Sequence, residues 1–572
     1  MKRRTYSVTA EIRSPFLFPG AEAPANGLDV AALRDREGRP LIPQDQVRGV
    51  LRAAMAKVAA HAADAPEPSV GTLFGRESGD IARSGTSEAS PEEAFRPERG
   101  RLLFSDLLMD QAPEPVQPAP RVKIDAETGR AQDGHLLSAE LVAPLGAERR
   151  FRGRMIAYLA DDEVDAFEAA LAAACTWPSA VGAMKSAGFG EIVSLAVVRE
   201  AATEARPRPA TPSGRKMYRV HIDRPFLCDA ERSADNVFKG REHVPGGAVK
   251  GALARRLALQ GASPQTSDAF TRLSVSHVLP AAISSPLPLS LVGLGTQVID
   301  TLGRGERGAE LIDGQAPRPL DDWKHETFAA AERLYGHAAV EVRRDTRVHT
   351  AIAAETGTAL PQKLFVEISA DPGDHDWVCE IAWPDQEPDL MAQAAAILGE
   401  GLDGIGRTGA TLRFEETIQA PAPRIRPFAD KDYAVVLQTD AVMTSPFENR
   451  DPFAAYAAYW REALPGAELI DFCAAQRLAG GFVGLRFRPG GRYAPFWLTR
   501  AGSVFLLRNA PEERLKALVE RGLDAPREGG RIHDWRSCPF VTENGYGRIR
   551  ADHQRIASDA GSSALDKIHQ EA

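Results

Sequence analysis

Tyr6-Ser-Val-Thr-Ala-Glu-Ile12 alternates large and small or polar side chains, and Tyr218-Arg-Val-His-Ile222 does the same about two hundred residues later. Strict alternation is the mark of a half-buried strand. Both stretches run into a proline and a Phe-Leu pair, at Pro15-Phe16-Leu17 and Pro225-Phe226-Leu227. Each is followed by a proline turn and a basic helical segment: Leu41-Ile-Pro-Gln-Asp-Gln-Val-Arg-Gly-Val-Leu-Arg52 and His243-Val-Pro-Gly-Gly-Ala-Val-Lys-Gly-Ala-Leu-Ala-Arg-Arg256. Each then has a Thr-Gly hairpin, over 121–131 and 347–359, and closes on a glycine turn, Gly188-Phe189-Gly190 and Gly404-Ile405-Gly406. A third turn, Gly545-Tyr546-Gly547, closes the last part of the chain. Motifs repeating in one order over about 200 residues mark duplicated units.

The order strand, helix, strands, helix, glycine turn, strand predicts an α+β fold. The expected architecture is tandem ferredoxin-like, RRM-like domains with antiparallel sheets and inserted hairpins. Proline-rich stretches set the expected boundaries, because prolines at that density disfavour helix and sheet. These are a first domain at 1–203, a linker at 204–214, a second domain at 215–418, a third at 430–550, and a polar tail at 551–572.

Composition excludes several classes. With 44% hydrophobic and 26% charged residues the chain has an ordinary globular make-up. It contains no apolar run long enough to cross a membrane, and the five cysteines show no zinc-ligand or redox spacing, so a cytoplasmic home is expected. The net charge of −9 would argue against a polyanion partner if it were spread evenly. It is not: residues 1–60 carry ten Lys/Arg against six Asp/Glu, and 206–256 carry twelve against five. Residues 371–403 hold nine acidic residues and no Lys or Arg. A polyanion feels the charge within a Debye length, so RNA is permitted.

On the first helix Arg48 and Arg52 share a face, and Lys250 and Arg255 recur on the second. A helix N-terminus after each proline turn could hold phosphate, and the glycine turns could let backbone approach a polyanion. Phe189 and Tyr546 could stack a base or fill a core. A solvated charged face and ordinary tight turns are the plain alternatives.

Taken together, these motifs resemble the RAMP superfamily of type III CRISPR effector complexes. The first block resembles the backbone subunit that lines the guide RNA, on Gly27–Pro43, Phe104-Ser-Asp106, Lys123–Ala131 and Gly188-Phe-Gly190, though Gln44-Asp45 stands where that family usually has Gly-Ser. The second and third blocks resemble large subunits of subtype D that hold the 5′ handle of the guide, on Val244–Leu253, Pro286–Ser290, Val348–Ile352 and Ala501–Phe505. The resemblance implies guide RNA, target RNA and the other effector subunits (backbone, polymerase-type and small) as partners, with no membrane. It implies target cleavage by Asp29, and less strongly by Asp235, with a divalent cation such as Mg or Mn, and no zinc. Asn-Gly-x-Asp is also plain turn chemistry. By the same resemblance Lys123 and Arg347, with Arg121 and Arg130, belong to hairpins that wedge into the guide–target duplex. His349, Gly404, Gly406, Arg407, Gly545, Gly547 and Arg548 complete the expected RNA-binding set. Rival readings are a non-cleaving scaffold of the same complex, a stand-alone repeat-RNA processing endoribonuclease, and a metabolic enzyme on a duplicated fold.

Overall fold

The computed structural model describes residues 1–21, 28–61, 68–76, 98–112, 115–125, 127–201, 211–229, 231–234, 236–281, 286–294, 297–303, 318–319, 342–352, 359–419, 425–445, 451–480, 495–526, 534–535 and 537–554. The first part is built from β1 (Lys2–Arg13), α1 (Gln44–His61), β2 (Leu102–Phe104), β3 (Leu107–Met109), a hairpin β4 (Gln117–Ile124) and β5 (Ala131–Leu141), then β6 (Glu148–Leu159), α2 (Val164–Cys175) and β7 (Glu191–Arg199). The second repeats the plan. It comprises β8 (Gly214–Ile222), β9 (Val237–Lys239), α3 (Gly246–Leu259), β10 (Ser274–Val275), β11 (Arg344–Ile352), β12 (Ala359–Ala370), β13 (Trp377–Trp383), α4 (Pro388–Glu400) and β14 (Ala410–Gln419). The third has β15 (Tyr433–Leu437), α5 (Pro452–Ala463), β16 (Glu468–Cys473), β17 (Val504–Arg508), α6 (Glu512–Arg521) and β18 (Ile549–Arg550).

One strand order recurs in three sheets: last, first, third, second. It reads β7-β1-β6-β3, then β14-β8-β13-β10, then β18-β15-β17-β16, with antiparallel pairing within each. This is the arrangement expected of a ferredoxin-like sheet with helices on one face. The alternation of β1 buries Tyr6, Val8, Ala10 and Ile12 together, and Tyr6 meets Phe167 of α2 edge to face at 5.8 Å. On α1 the buried residues Val47, Leu51, Ala54 and Met55 follow helical spacing, so one stripe covers the sheet. The third sheet differs in kind. All five residues of β15 are buried, with Val435 and Leu437 in one core and Ala434 and Val436 in another, as in a strand covered on both faces.

The glycine turns have a packing reason. The second glycine of each has positive φ (+73° at Gly190, +66° at Gly406, +68° at Gly547), and an added Cβ would lie 1.8, 2.5 and 2.6 Å from the carbonyl oxygens of Val181, Leu227 and Leu523. No side chain fits there, so these glycines serve close backbone contact within the fold rather than an approach to a polyanion.

Candidate nucleic-acid interface

The two helix starts that could hold phosphate are already filled by protein. The Gln44 backbone N–H at the start of α1 donates to Asp106 Oδ1 at 2.8 Å, and the Gly246 N–H at the start of α3 donates to His277 Nδ1 at 3.2 Å. Asp106 and His277 sit on equivalent turns: Ser105 Oγ accepts from Arg154 N–H and Ser276 Oγ from Glu380 N–H, both at 2.8 Å. The first N–H of each helix thus has a protein acceptor.

The four helix cations also separate. Lys250 is fully buried, its ammonium donating to the carbonyls of Thr271 and Leu273 at 2.9 and 2.8 Å, with the Phe270 and Trp535 rings alongside. It faces the interior and not a phosphate. Arg255 donates to the Gly100 carbonyl at 2.9 Å, and Arg48 donates to the carbonyl of Phe74. Arg52 is half-buried, with no hydrogen bond or ion pair among the described residues.

The hairpins lie where cations stay accessible. Lys123 and Arg130 are exposed on β4–β5, as are the apolar Val122, Ile124 and Leu136. Arg121 stacks on Phe189 with its guanidinium 4.9 Å from the ring centre, fixing the hairpin base to the first glycine turn. On the second hairpin Val348, Ile352 and Leu364 are exposed. Arg347, however, is turned to the first part of the chain and binds Asp106 through both terminal nitrogens at 3.2 and 2.9 Å, with Asp345 at 2.9 Å. Burial alone would lower the Arg347 pKa and raise that of Asp106. Their mutual attraction outweighs it and holds the first up and the second down. His349 stacks on Phe365 at 5.0 Å between Asp45 (3.5 Å) and Glu367 (3.6 Å).

Asp29 is exposed beside the first hairpin. Its N–H donates to the Ser138 carbonyl at 2.8 Å, and its Oδ2 accepts from the Ser138 N–H at 2.7 Å. Next to it Val30 bridges Ala139 in parallel, and the neighbouring Glu140, 1% exposed, accepts from Ala32 N–H at 2.8 Å and pairs with Arg34. The second part has a similar parallel pair in a different hydrogen-bond phase, for Val30 N–H donates to the Ser138 carbonyl whereas Val366 N–H donates to the Asn236 carbonyl. Val237 of β9 pairs in parallel with Val366, next to the buried Glu367. Asp235, the second residue expected to cleave, lies outside the described residues. Among the described residues no group of three or more His, Cys, Asp or Glu could hold a metal ion.

The other expected residues sit at joints. The Phe189 and Tyr546 rings are 3% and 5% exposed, so they fill cores and stack no base. The carbonyls of Gly404 and Gly406 accept from Arg99, and Gly188 lies exposed. Gly545 packs on His277, and Gly547 on Leu523. Arg407 pairs with Glu367 at 3.0 Å and lies 4.7 Å over the Phe238 ring; Arg548 bonds Ser274 at 3.0 Å and the Glu520 carbonyl at 3.1 Å.

Two features escaped the sequence reading. Arg150, Arg152 and Arg154 line one face of β6 and are exposed, each beside a carboxylate (Glu11, Asp110 and Glu200). The period of two in Arg149-Arg-Phe-Arg-Gly-Arg154 was the available signal. The second is a buried stack, His243 on His277 at 4.6 Å, with Tyr546 against His277 at 4.7 Å. Nothing in the sequence spacing brings these three together.

That stack makes stability depend on pH. Burial, with Arg241 nearby, pushes His243 down to about 4, and His277 also lies well below the ordinary value of 6.5. Unfolded histidine binds its proton first, so this contribution is complete above pH 6.5 and is lost as pH falls toward 4, on the order of 2–3 kcal/mol for His243. Thermal unfolding midpoints measured from pH 7 to pH 4 should fall steeply, and less steeply in His243→Phe. Equal slopes in the two proteins would contradict the assignment.

Among the described residues no helix is long and apolar enough to cross a membrane. No curated protein matches the chain. A cryo-EM structure of the type III-B Cmr-beta complex bound to cognate target RNA and AMPPnP contains a chain similar to this one, at 10% identity and a TM-score of 0.30, over 53% of this chain and 88% of that one. The model of the RAMP superfamily matches residues 9–193, the span of the first sheet with its helices and hairpin.

Proposed function

We propose that the protein is a guide-RNA-binding subunit of a type III CRISPR ribonucleoprotein, probing target RNA held on its guide and cutting it once, beside the first hairpin. The observation that carries this is an exposed carboxylate, Asp29, tied by Ser138 to the base of a hairpin that presents exposed Lys123 and Arg130, all within the RAMP-matched segment. In this reading Asp29 takes the proton of a 2′-hydroxyl, whose oxygen bonds to the adjacent phosphorus while the 5′-oxygen departs and is protonated. The products are a cyclic 2′,3′-phosphate and a 5′-hydroxyl. Asp29, with its Oδ1 not taken by Ser138, would be the protein's ligand to a divalent cation such as Mg or Mn, which would stabilise the charge that develops on the phosphate. Residues 215–550 would hold the guide's 5′ handle, with subtype D as the finer assignment, and 1–203 would cover the first bases beyond it.

The non-cleaving scaffold is the second reading, favoured by the Ser138 N–H that already occupies Oδ2 of Asp29. Division into three RAMP domains at 1–203, 215–418 and 430–550 belongs to the same proposal, supported by the repeated strand order.

Phosphate contact is read from salt dependence. Arg52, Lys123 and Arg130 should each contribute about 0.7 to the log–log slope of single-strand binding. Replacing Lys123 and Arg130 with Gln should flatten the slope by roughly 1.4, whereas Lys250→Met should leave it unchanged. A slope indifferent to the hairpin pair would remove the hairpin from the RNA path.

A further inference from the structure

The chain makes one joint twice within itself. In the first instance the turn after α4 docks on the first part of the chain. Arg99 donates to the carbonyls of Gly404 and of Gly406 (2.7 Å), Gln44 at the start of α1 donates to the Thr408 carbonyl at 2.9 Å, and Asp403 accepts from Tyr158 and Arg3, each at 2.7 Å. In the second, the turn after α6 docks on the second part. A Cβ on Gly246 would lie 2.7 Å from the Asn544 carbonyl, one on Gly545 would lie 2.7 Å from His277 N, and Arg548 bonds Ser274. Each receptor is built alike: a proline-started helix whose first N–H is taken by the side chain after a serine, Asp106 in one and His277 in the other.

The first glycine turn has the same build and, among the described residues, no receptor. Lys185, Ser186, Ala187 and Gly188 are exposed, and a Cβ on Gly188 would meet nothing within 4 Å, whereas one on Gly404 meets Arg99 at 3.1 Å. A second copy of this chain does not supply the missing receptor. Its first two receptors are filled, and the third part departs from the plan. There α5 is capped by its own Asp451, whose Oδ1 accepts from Ala454 N–H at 3.0 Å, and the turn after β16 is Ala474-Ala475 in place of Ser105-Asp106 or Ser276-His277. We infer that the exposed turn at 185–188 docks on a different protein subunit, one that presents a proline-started helix capped from a neighbouring strand turn, and so repeats between chains the joint made twice within this one. The inference rests on the repeated joint and not on the RNA reading.

The test uses the full chain with a photoreactive side chain in place of Ser186, produced in its native cells and purified with whatever it assembles with. The expected adduct joins position 186 to another protein at the first turn of a helix that follows a proline. Ser186→Trp should then lower recovery of that protein with the chain roughly tenfold, as for a residue at the centre of an interface, with the unfolding temperature unchanged. Adducts to RNA, to a second copy or to nothing would overturn the inference, as would undiminished recovery with Ser186→Trp. An RNA adduct would do so while leaving guide binding intact.

Discussion

Asp106→Ala will destabilise the folded chain by about 3 kcal/mol, the low end of the cost of removing one partner from a buried ion pair. Three groups lose by it. Arg347, 17% exposed, loses a two-pronged partner and keeps only Asp345, and the Gln44 N–H at the start of α1 is left without an acceptor. Arg224, whose charge also holds Asp106 ionised, loses an attractive neighbour. Asp106→Asn separates the contributions: the amide oxygen can still cap the helix, so about half the loss should return. The sign with pH follows from the depressed pKa of Asp106. Its contribution is complete above the ordinary value of 3.8 and is lost as pH falls through the lower folded value. Urea unfolding at pH 7 reads the effect, and a loss under about 1 kcal/mol would mean the pair is only a surface contact.

Asp29→Ala should abolish one target cut, by roughly a hundredfold or more, the usual contribution of a positioned general base. Guide binding should survive, because Asp29 is exposed and its removal frees only the Ser138 N–H at the hairpin base. Asp235→Ala should leave the cut made beside Asp29 as it is. Mapping target fragments from the assembled complex distinguishes the cases. A pattern unchanged by Asp29→Ala would assign cleavage to another residue or another subunit.

The fold was legible because its signals are local. Alternation in β1 and β8, helical spacing on α1 and three glycine turns are all written within about twenty residues each. The uses of individual charges were not, because they depend on parts of the chain far apart. Lys250 reads as a surface cation until α3 turns it inward onto the Thr271 and Leu273 carbonyls. The acidic run 371–403 reads as uncompensated, yet Asp403 meets Arg3, Asp374 meets Arg36 and Glu380 meets Arg215. Gln44 donates to the Thr408 carbonyl and accepts from Arg224 at 3.3 Å.

The central claim, that this chain holds a guide RNA, is tested most directly by sequencing the RNA that copurifies with the intact protein from its native cells. Guide binding predicts short RNAs sharing one constant 5′ sequence followed by variable sequence. Recovery of no RNA, or of fragments with random 5′ ends, would contradict it.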